Sequence, residues 1–372
     1  MKVYFDNAAT TPVDPDVADV VCDVLKNNFG NPSSIHAWGR EARVAVENAR
    51  KKIADLFGVP ASTILFTSCA TESINITITS AIESGVEQII TSKLEHHAIL
   101  HTASYFEELK KCKVEFLSFD EKGNLSLRDL ELLLQNKKQT LVALMHANNE
   151  IGNLLPMQEV AALCKKNNAL FLCDTVQSVG KNSVKFNLPG LSYATGSAHK
   201  FHGPKGIGFL YHAAGVPCIT NIHGGGQERG LRSGTENVSG MVGMAKALEK
   251  ISDNQNEFHN QISELKEYFA SKIESEIPNI KFNGTCREGG LVNILNVTFP
   301  DNEKSSALIQ LMDVEGIAVS GGSACNSGIS KGSHVLQALN VDPGKASVRF
   351  SFSRFNTKEE ADYCISVLKK WF

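Results

Sequence analysis

Lys200 is the residue whose setting most asks for an explanation. It follows Ser197 and His199 and precedes a Gly/Pro-rich turn, after which comes the apolar run at 207–211. A charged amine among small residues, between two strand-like segments, suits a covalent Schiff base to a carbonyl cofactor such as pyridoxal phosphate. A lysine taken alone is most often a solvated surface group, but a second element changes the balance. The segment 169–173 reads as a buried strand and ends in Asp174-Thr-Val-Gln177. A carboxylate at a strand's C-terminal end can keep a pyridinium nitrogen protonated, which makes the ring an electron sink. Gln177 comes within reach of the cofactor's phenolate oxygen if the intervening turn is helical.

Other side chains extend the set. Thr67-Ser-Cys-Ala-Thr-Glu72 joins a strand to a helix, and backbone N–H groups with the Thr71 hydroxyl make an anion site there, suited to a phosphate. Simple N-capping by Thr71 is the plainer alternative. Ser197 and His199 supply further phosphate donors. His96, in Glu95-His-His97, offers a flat aromatic group that can stack on a pyridine ring and shuttle protons. Asn149 is an amide ligand for cofactor or substrate. The segment from His223 to Glu236 is glycine-rich with two arginines, an anion-binding loop or a flexible surface loop. In Val348-Arg-Phe-Ser-Phe-Ser-Arg354, strict alternation puts Arg349 opposite Val348, Phe350 and Phe352, where its guanidinium can grip a substrate carboxylate with two bonds. Cys325 lies in Ser320-Gly-Gly-Ser-Ala-Cys-Asn-Ser-Gly328, an exposed setting opposite to the buried slot most cysteines prefer. It reads as a nucleophile or sulfur carrier.

The elements that must position these groups follow from patterning. From about residue 15 to 255, short apolar runs alternate with helical patterns, which predicts an α/β fold with a mostly parallel sheet. The strands are expected at 64–67, 88–91, 140–145, 169–173 and 207–211. Four of them lead directly into polar clusters, which should converge on one site beyond the strands' carboxyl ends. The polar helical stretch 255–277 leads to segments at 291–299 and 346–352 that read as strands of a smaller α+β unit. The expected division is a large cofactor-binding domain at 15–255, and a small domain of 1–14 with 256–372 that carries the cysteine loop. The turn-rich Asn7-Ala-Ala-Thr-Thr-Pro12 is expected near the site.

The whole chain bounds the reading. Its 372 residues are 42% hydrophobic and 21% charged, ordinary for a globular protein with ample core. A net charge of −3 gives no global field toward nucleic acid or membrane. No apolar run is long enough to span a bilayer, and the start lacks a secretory core, so a cytoplasmic protein is expected. Nine cysteines, with no Cys-x-x-Cys and no zinc-like spacing, indicate neither a disulfide framework nor a metal site.

Together these motifs resemble the cysteine desulfurases of the class V aminotransferase family, especially the iron–sulfur-cluster and nitrogen-fixation types. The resemblance runs from Tyr4-Phe-Asp-Asn to Arg349-Phe-Ser-Phe352. It includes Ala-Thr-Glu-Ser at 70–73, Glu-His at 95–96, Asn-Asn-Glu-Ile-Gly at 148–152 and Gln-Ser-Val-Gly-Lys at 177–181. His-Lys at 199–200, Arg-Ser-Gly-Thr at 232–235 and Ser-Ala-Cys at 323–325 complete it. The resemblance implies a fold-type-I pyridoxal-phosphate enzyme, a homodimer that converts L-cysteine to L-alanine and leaves the sulfur as a persulfide on Cys325, for onward transfer to an acceptor protein. It implies Lys200 as the Schiff-base lysine, Asp174 as the pyridinium partner, His96 as the stacking acid/base and Gln177 as the phenolate ligand. Ala70, Thr71, Ser197 and His199 would be cofactor contacts, and Thr235 would reach the neighbouring subunit's phosphate. Asn149 and Arg349 would bind the substrate carboxylate. Two departures stand out: Cys69 replaces the family's usual glycine, and the sequence stops at Trp371-Phe372 without the extension that housekeeping members use to dock a scaffold protein.

Other readings fit less of the chain. A class V aminotransferase has no need of a thiol on a glycine-rich loop, whereas a selenocysteine lyase stays close. A serine hydrolase is suggested by Gly328-Ile-Ser-Lys-Gly332, but His334, four residues from Ser330, is the only later histidine and cannot complete a Ser…Asp…His order. A catalytically dead scaffold would have no use for Lys200, Asp174, His96 and Cys325 together.

Overall fold

The computed structural model describes residues 1–321 and 332–372. In chain order its strands are β1 (Val3–Tyr4), β2 (Ile64–Thr67), β3 (Gln88–Thr91), β4 (Lys113–Phe116), β5 (Thr140–Met145) and β6 (Leu170–Asp174). They continue with β7 (Tyr193–Ser197), β8 (Gly208–His212), β9 (Lys281–Phe282), β10 (Ile294–Thr298), β11 (Ile317–Ala318) and β12 (Ser347–Ser351). The larger helices of the first two-thirds are α1 (Pro15–Asn27), α2 (Ala37–Phe57), α3 (Ala70–Glu83), α4 (His97–Glu108), α5 (Leu127–Leu134), α6 (Met157–Lys166) and α7 (Val238–Asp253), and α8 (Gln255–Glu276) follows them.

β5 reads Thr-Leu-Val-Ala-Leu-Met and is buried at every position, as a strand covered on both faces must be. It lies inside a seven-stranded sheet of order β2-β8-β7-β6-β5-β3-β4. All neighbours pair in parallel except β8, which runs antiparallel to both β2 and β7. The mostly parallel α/β architecture expected from the sequence is therefore present. The β7–β8 connection reverses the chain, and Lys200 sits at its start, in the single helical turn Ala198–Lys200. β4 and β7 were not expected. β7 reads Tyr-Ala-Thr-Gly-Ser, too small and polar to stand out, yet it is wholly buried. Gly196 permits this, since a Cβ there would lie 2.4 Å from the Phe209 ring.

Helices cover both faces of the sheet. On one side, α1, α2 and α7 pack together, and Phe57, Phe186 and Phe209 form an aromatic cluster whose closest ring centroids are 4.1 Å apart. The other side is filled by α3 and α4, through Ile74, Ile78, Ile99 and Ala103. Local signals set the helix ends: Asp14 caps α1 ahead of Pro15, and Gly58 ends α2 in the left-handed conformation at φ 71°.

A second core gathers α8 with the antiparallel sheet β12-β10-β9 and with Val3 and Phe5 from the start of the chain. In the β10–β12 register Asn296 faces Arg349, while Val348 and Phe350 point into this core. No helix among the described residues is long and apolar enough to cross a membrane.

The segment from Asp6 to Thr11 joins the two cores. The Ala8 N–H donates to Ser351 Oγ (2.8 Å) and the Asn7 amide to Ser351 O (2.8 Å) on one side. On the other, the Thr11 N–H and hydroxyl both donate to His199 O.

Candidate active site

A parallel sheet brings the carboxyl ends of its strands to one edge, and there a cavity of about 230 Å³ opens. β5 supplies Met145, followed by Ala147 and Asn149, and β6 supplies Asp174 and the turn that carries Gln177. β7 ends in Ser197, followed by His199 and Lys200. Cys69, Ala70 and Thr71 line it at the start of α3, His96 at the start of α4, and Arg349 from β12. Ten of the twelve site residues expected from sequence thus meet in one place. Cys325 lies outside the described residues, and Thr235 is exposed and does not line the cavity. None of the glycine-rich loop 223–236 does.

Lys200 Nζ donates to Ala8 O (2.8 Å) and Ala9 O (2.7 Å), so the chain's first residues hold the amine. Gln177 donates one amide N–H to the same Ala8 O (2.9 Å), and its buried Oε1 has no partner. Asp174 is 6% exposed, and one of its oxygens accepts from the Val176 N–H (3.0 Å). Burial pushes its carboxyl up to about 6, against the pull of that N–H and of the Lys200 charge. Below it, Glu95 accepts from the Met145 N–H (2.7 Å) and is pushed well up, by burial and by the nearness of Asp174.

His96 is the N-cap of α4, its Nδ1 accepting from the Ala98 N–H (3.1 Å). Burial, then the Lys200 charge, brings its pKa down to about 4, so the ring is neutral at physiological pH. With Nδ1 an acceptor, the proton sits on Nε2. His199 is brought down to about 4 by burial and the same lysine, and its Nδ1 lies 3.1 Å from Thr10 Oγ1.

The cap of α3 is not Thr71. Cys69 occupies that position without a side-chain hydrogen bond, and Thr71 is the second residue inside the helix. The first N–H groups of α3 therefore have no acceptor within the helix and no capping side chain, beside a cavity that Cys69, Ala70 and Thr71 line. Sequence reasoning offered Thr71 as the cap because cysteine is a poor one.

Arg349 is 2% exposed, so the side of β12 away from the core is buried as well. Its guanidinium donates to Asp6 Oδ1 (2.8 Å) and Asn149 O (2.9 Å), and its buried Nε has no partner. Asp6 was not singled out from sequence. It also accepts from the Ser320 hydroxyl (2.8 Å). An aspartate in a strand-ending Tyr-Phe-Asp-Asn carries no local sign of its distant arginine.

These donors suit a phosphorylated aromatic cofactor. The open N–H groups of α3 await an anion, the buried Asp174 awaits a cation, and Lys200 offers an amine between them. Arg349 Nε, still unpaired, awaits a second anionic group.

Comparison with known proteins agrees. A family model described as Aminotransferase class-V matches residues 3–364. A cysteine desulfurase IscS of Dictyoglomus turgidum is 41% identical, over 99% of this chain and 94% of the relative. A cysteine desulfurase IscS of Clostridium botulinum is 38% identical over the same shares. Among solved structures, a NifS-like protein superposes with a TM-score of 0.92 at 39% identity, covering 100% of this chain and 99% of the other.

The Asp174 carboxyl makes a signed prediction about stability. Its folded pKa lies above its unfolded value of 3.8, so across the window from about 4 to about 6 the folded chain keeps a proton that the unfolded chain has released. Stability contributed by this group is present below that window and is lost as pH rises through it, a penalty on the order of 3 kcal/mol above pH 6. With small molecules removed, Asp174→Asn should melt above the parent protein at pH 7.5, and the gap should close toward pH 4. Scanning calorimetry at the two pH values reads both effects.

Proposed function

The chain belongs to the class-V aminotransferase family, and on that premise we propose that it is a pyridoxal-phosphate-dependent cysteine desulfurase acting through the residues of this cavity. The observation that carries the reading is the meeting, at the carboxyl edge of a parallel sheet, of a lysine amine, a buried carboxylate, a neutral imidazole and an arginine with an unpaired N–H. When bound, pyridoxal phosphate supplies a conjugated, protonated ring that accepts the electron pair released at the amino acid.

Each side chain has a part. Lys200 is the amine that would hold the cofactor's aldehyde carbon. Asp174 would hold the ring nitrogen, and a proton there would relieve the cost of burying its charge. Gln177 has a second amide N–H for the phenolate oxygen. The open start of α3, with Thr71, Ser197 and His199, would take the phosphate. His96 would lie against the ring, and its Nε2–H can deliver a proton; it must release that proton, or the Ala98 N–H from Nδ1, before it can accept another. Arg349 uses Nε, beside Asn149, to hold the substrate carboxylate, while Asp6 and Asn149 O fix the rest of the guanidinium.

The sulfur step falls to Cys325. Its thiolate attacks the sulfur of bound L-cysteine, the carbon–sulfur bond breaks, and a sulfur–sulfur bond forms. The electron pair and one proton go to carbon. One thiol and one cysteine thus become one persulfide and alanine, with no outside oxidant. The persulfide then passes its outer sulfur to an acceptor protein, for iron–sulfur clusters or another thio-cofactor.

A homodimer completes this reading. Leu25, Phe29, Ile35 and Trp38 are 57–90% exposed around the start of α2, and Phe29 stacks against Trp38 with centroids 6.4 Å apart. Exposed aromatic and aliphatic side chains gathered in this way mark an association surface. Thr235, exposed and outside the lining of its own cavity, would serve a second copy.

Three measurements test the proposal. The Cys325→Ser protein should still bind pyridoxal phosphate and L-cysteine but release almost no sulfide, and the parent protein, given L-cysteine without reductant, should gain one sulfur on the peptide containing Cys325. Sulfide and alanine at the parental rate from Cys325→Ser would remove this thiol from the reaction. Arg349→Lys keeps the charge and loses the fork, so the KM for L-cysteine should rise about tenfold or more while cofactor retention changes little. An unchanged KM would assign the carboxylate to another group. Ile35→Asp should shift the protein from dimer toward monomer in sedimentation velocity, and a dimer undisturbed by that charge would place the contact elsewhere.

A further inference from the structure

Glu228 and Arg50 are each 3% exposed at the side chain and form a two-pronged ion pair, Nη1 to Oε2 and Nη2 to Oε1, both at 2.7 Å. Neither lines the cavity. The pair lies against β2, the edge strand of the seven-stranded sheet, whose only sheet neighbour among the described residues is β8. On the strand's open side the Phe66 N–H donates to Glu228 Oε2 (2.9 Å), and Arg50 Nη1 donates to Ile64 O (3.0 Å). The guanidinium also lies over the Phe66 ring, 4.7 Å from its centroid. A carboxylate and a guanidinium here do what a further strand would do: they accept from and donate to the free edge groups of β2.

Holding this edge has a local consequence. Two residues after Phe66 come Ser68 and Cys69, and then α3 with its open N–H groups. The loop that carries Glu228 grips this junction a second time. Arg232 Nε donates to Glu72 Oε1 (2.9 Å), and Glu72 Oε2 accepts from the Ser68 N–H (2.7 Å). The backbone at Glu228 and Arg229 is left-handed, with φ of 47° and 60°, a conformation that non-glycine residues keep only where the surroundings over-determine it. A buried ion pair is a poor device for stability alone, because apolar side chains of like volume do as well. What it adds is a fixed geometry.

We propose that Glu228, paired with Arg50, is a positioning residue for phosphate binding: it fixes the open edge of β2, and so sets where Ser68, Cys69 and the first turn of α3 meet the cofactor's phosphate. This rests on the reading above that the start of α3 takes that phosphate. The pair touches no ligand itself and acts through the strand and the helix start.

Pyridoxal phosphate and pyridoxal, which lacks the phosphate, separate this role from general support of the fold. Their dissociation constants are measured by equilibrium dialysis on the full-length chain stripped of cofactor, alongside melting curves. The parent protein should prefer pyridoxal phosphate. Glu228→Gln should lose about tenfold of that preference, the scale of one misplaced hydrogen bond to a charged group, and should bind pyridoxal as before. Glu228→Gln leaves Arg50 buried and unpaired, so a second variant, Arg50→Met with Glu228→Met, removes both charges. It leaves the Phe66 N–H and Ile64 O without these partners, so it should melt below the parent protein while staying folded, and it should lose the same preference. If either folded variant keeps the parental ratio, or weakens both ligands equally, the pair positions nothing and the proposal falls. If the parent protein itself binds pyridoxal as tightly as pyridoxal phosphate, the phosphate reading of α3 is what fails.

Discussion

The grip of the segment Asp6–Thr11 on the cavity is the constraint on which the site depends. Its Ala8 and Ala9 carbonyls hold Lys200, Ala8 O also holds Gln177, and the Asp6 carboxylate holds Arg349. Lys200 comes from the large sheet and Arg349 from the small one, so a single turn-forming segment sets the distance between the amine and the guanidinium. Packing alone would leave that distance loose, because the elements that carry the two side chains pack into different hydrophobic cores. Hydrogen bonds from one stretch of main chain to both sides convert two packed bodies into one site.

Electrostatics then give the cavity its polarity. Burial leaves Asp174 as a carboxylate at a high cost and strips the imidazoles His96 and His199 of their charge. The positive charge of Lys200 favours both results, lowering the histidines and partly supporting the aspartate. The cavity is thus tuned to receive a group that is cationic at one end and anionic at the other. α3 opens uncapped N–H groups to the anionic end, and the strand end of β6 offers a carboxylate to the cationic one. Because both features come from where a parallel sheet puts its strand ends and helix starts, the fold builds most of the binding logic before any side chain is chosen.

Sequence showed the sheet well where strands are uniformly apolar. The expected 64–67, 88–91 and 140–145 coincide with β2, β3 and β5, and 169–173 and 207–211 lie one residue from β6 and β8. β7 escaped because its Tyr-Ala-Thr-Gly-Ser is buried through smallness rather than hydrophobicity, with Gly196 admitting a phenyl ring. The cavity-lining residues were legible because lysine, aspartate and histidine are conspicuous after strand-like runs, and Arg349 stands out within an alternating strand. What the sequence hid was backbone and pairing. Ala8 and Ala9 act through carbonyl oxygens, which have no residue signature, and Asp6 and Glu228 matter through arginines far away in the chain. Thr71 looked like a cap by residue type, whereas backbone geometry gave that place to Cys69.

The contact between Asp6 and Arg349 spans 343 residues of chain. On the ribosome, Asp6 emerges early, and its arginine follows only when nearly the whole protein has been made. The large sheet can close and bury Asp174 before then, since its last strand ends at His212 and domains generally fold as units during synthesis. Lys200 and Asp174 are thus in place while the arginine side of the pocket does not yet exist. Vectorial synthesis itself therefore imposes an order on assembly, with the lysine and aspartate side of the pocket arriving first and its arginine last.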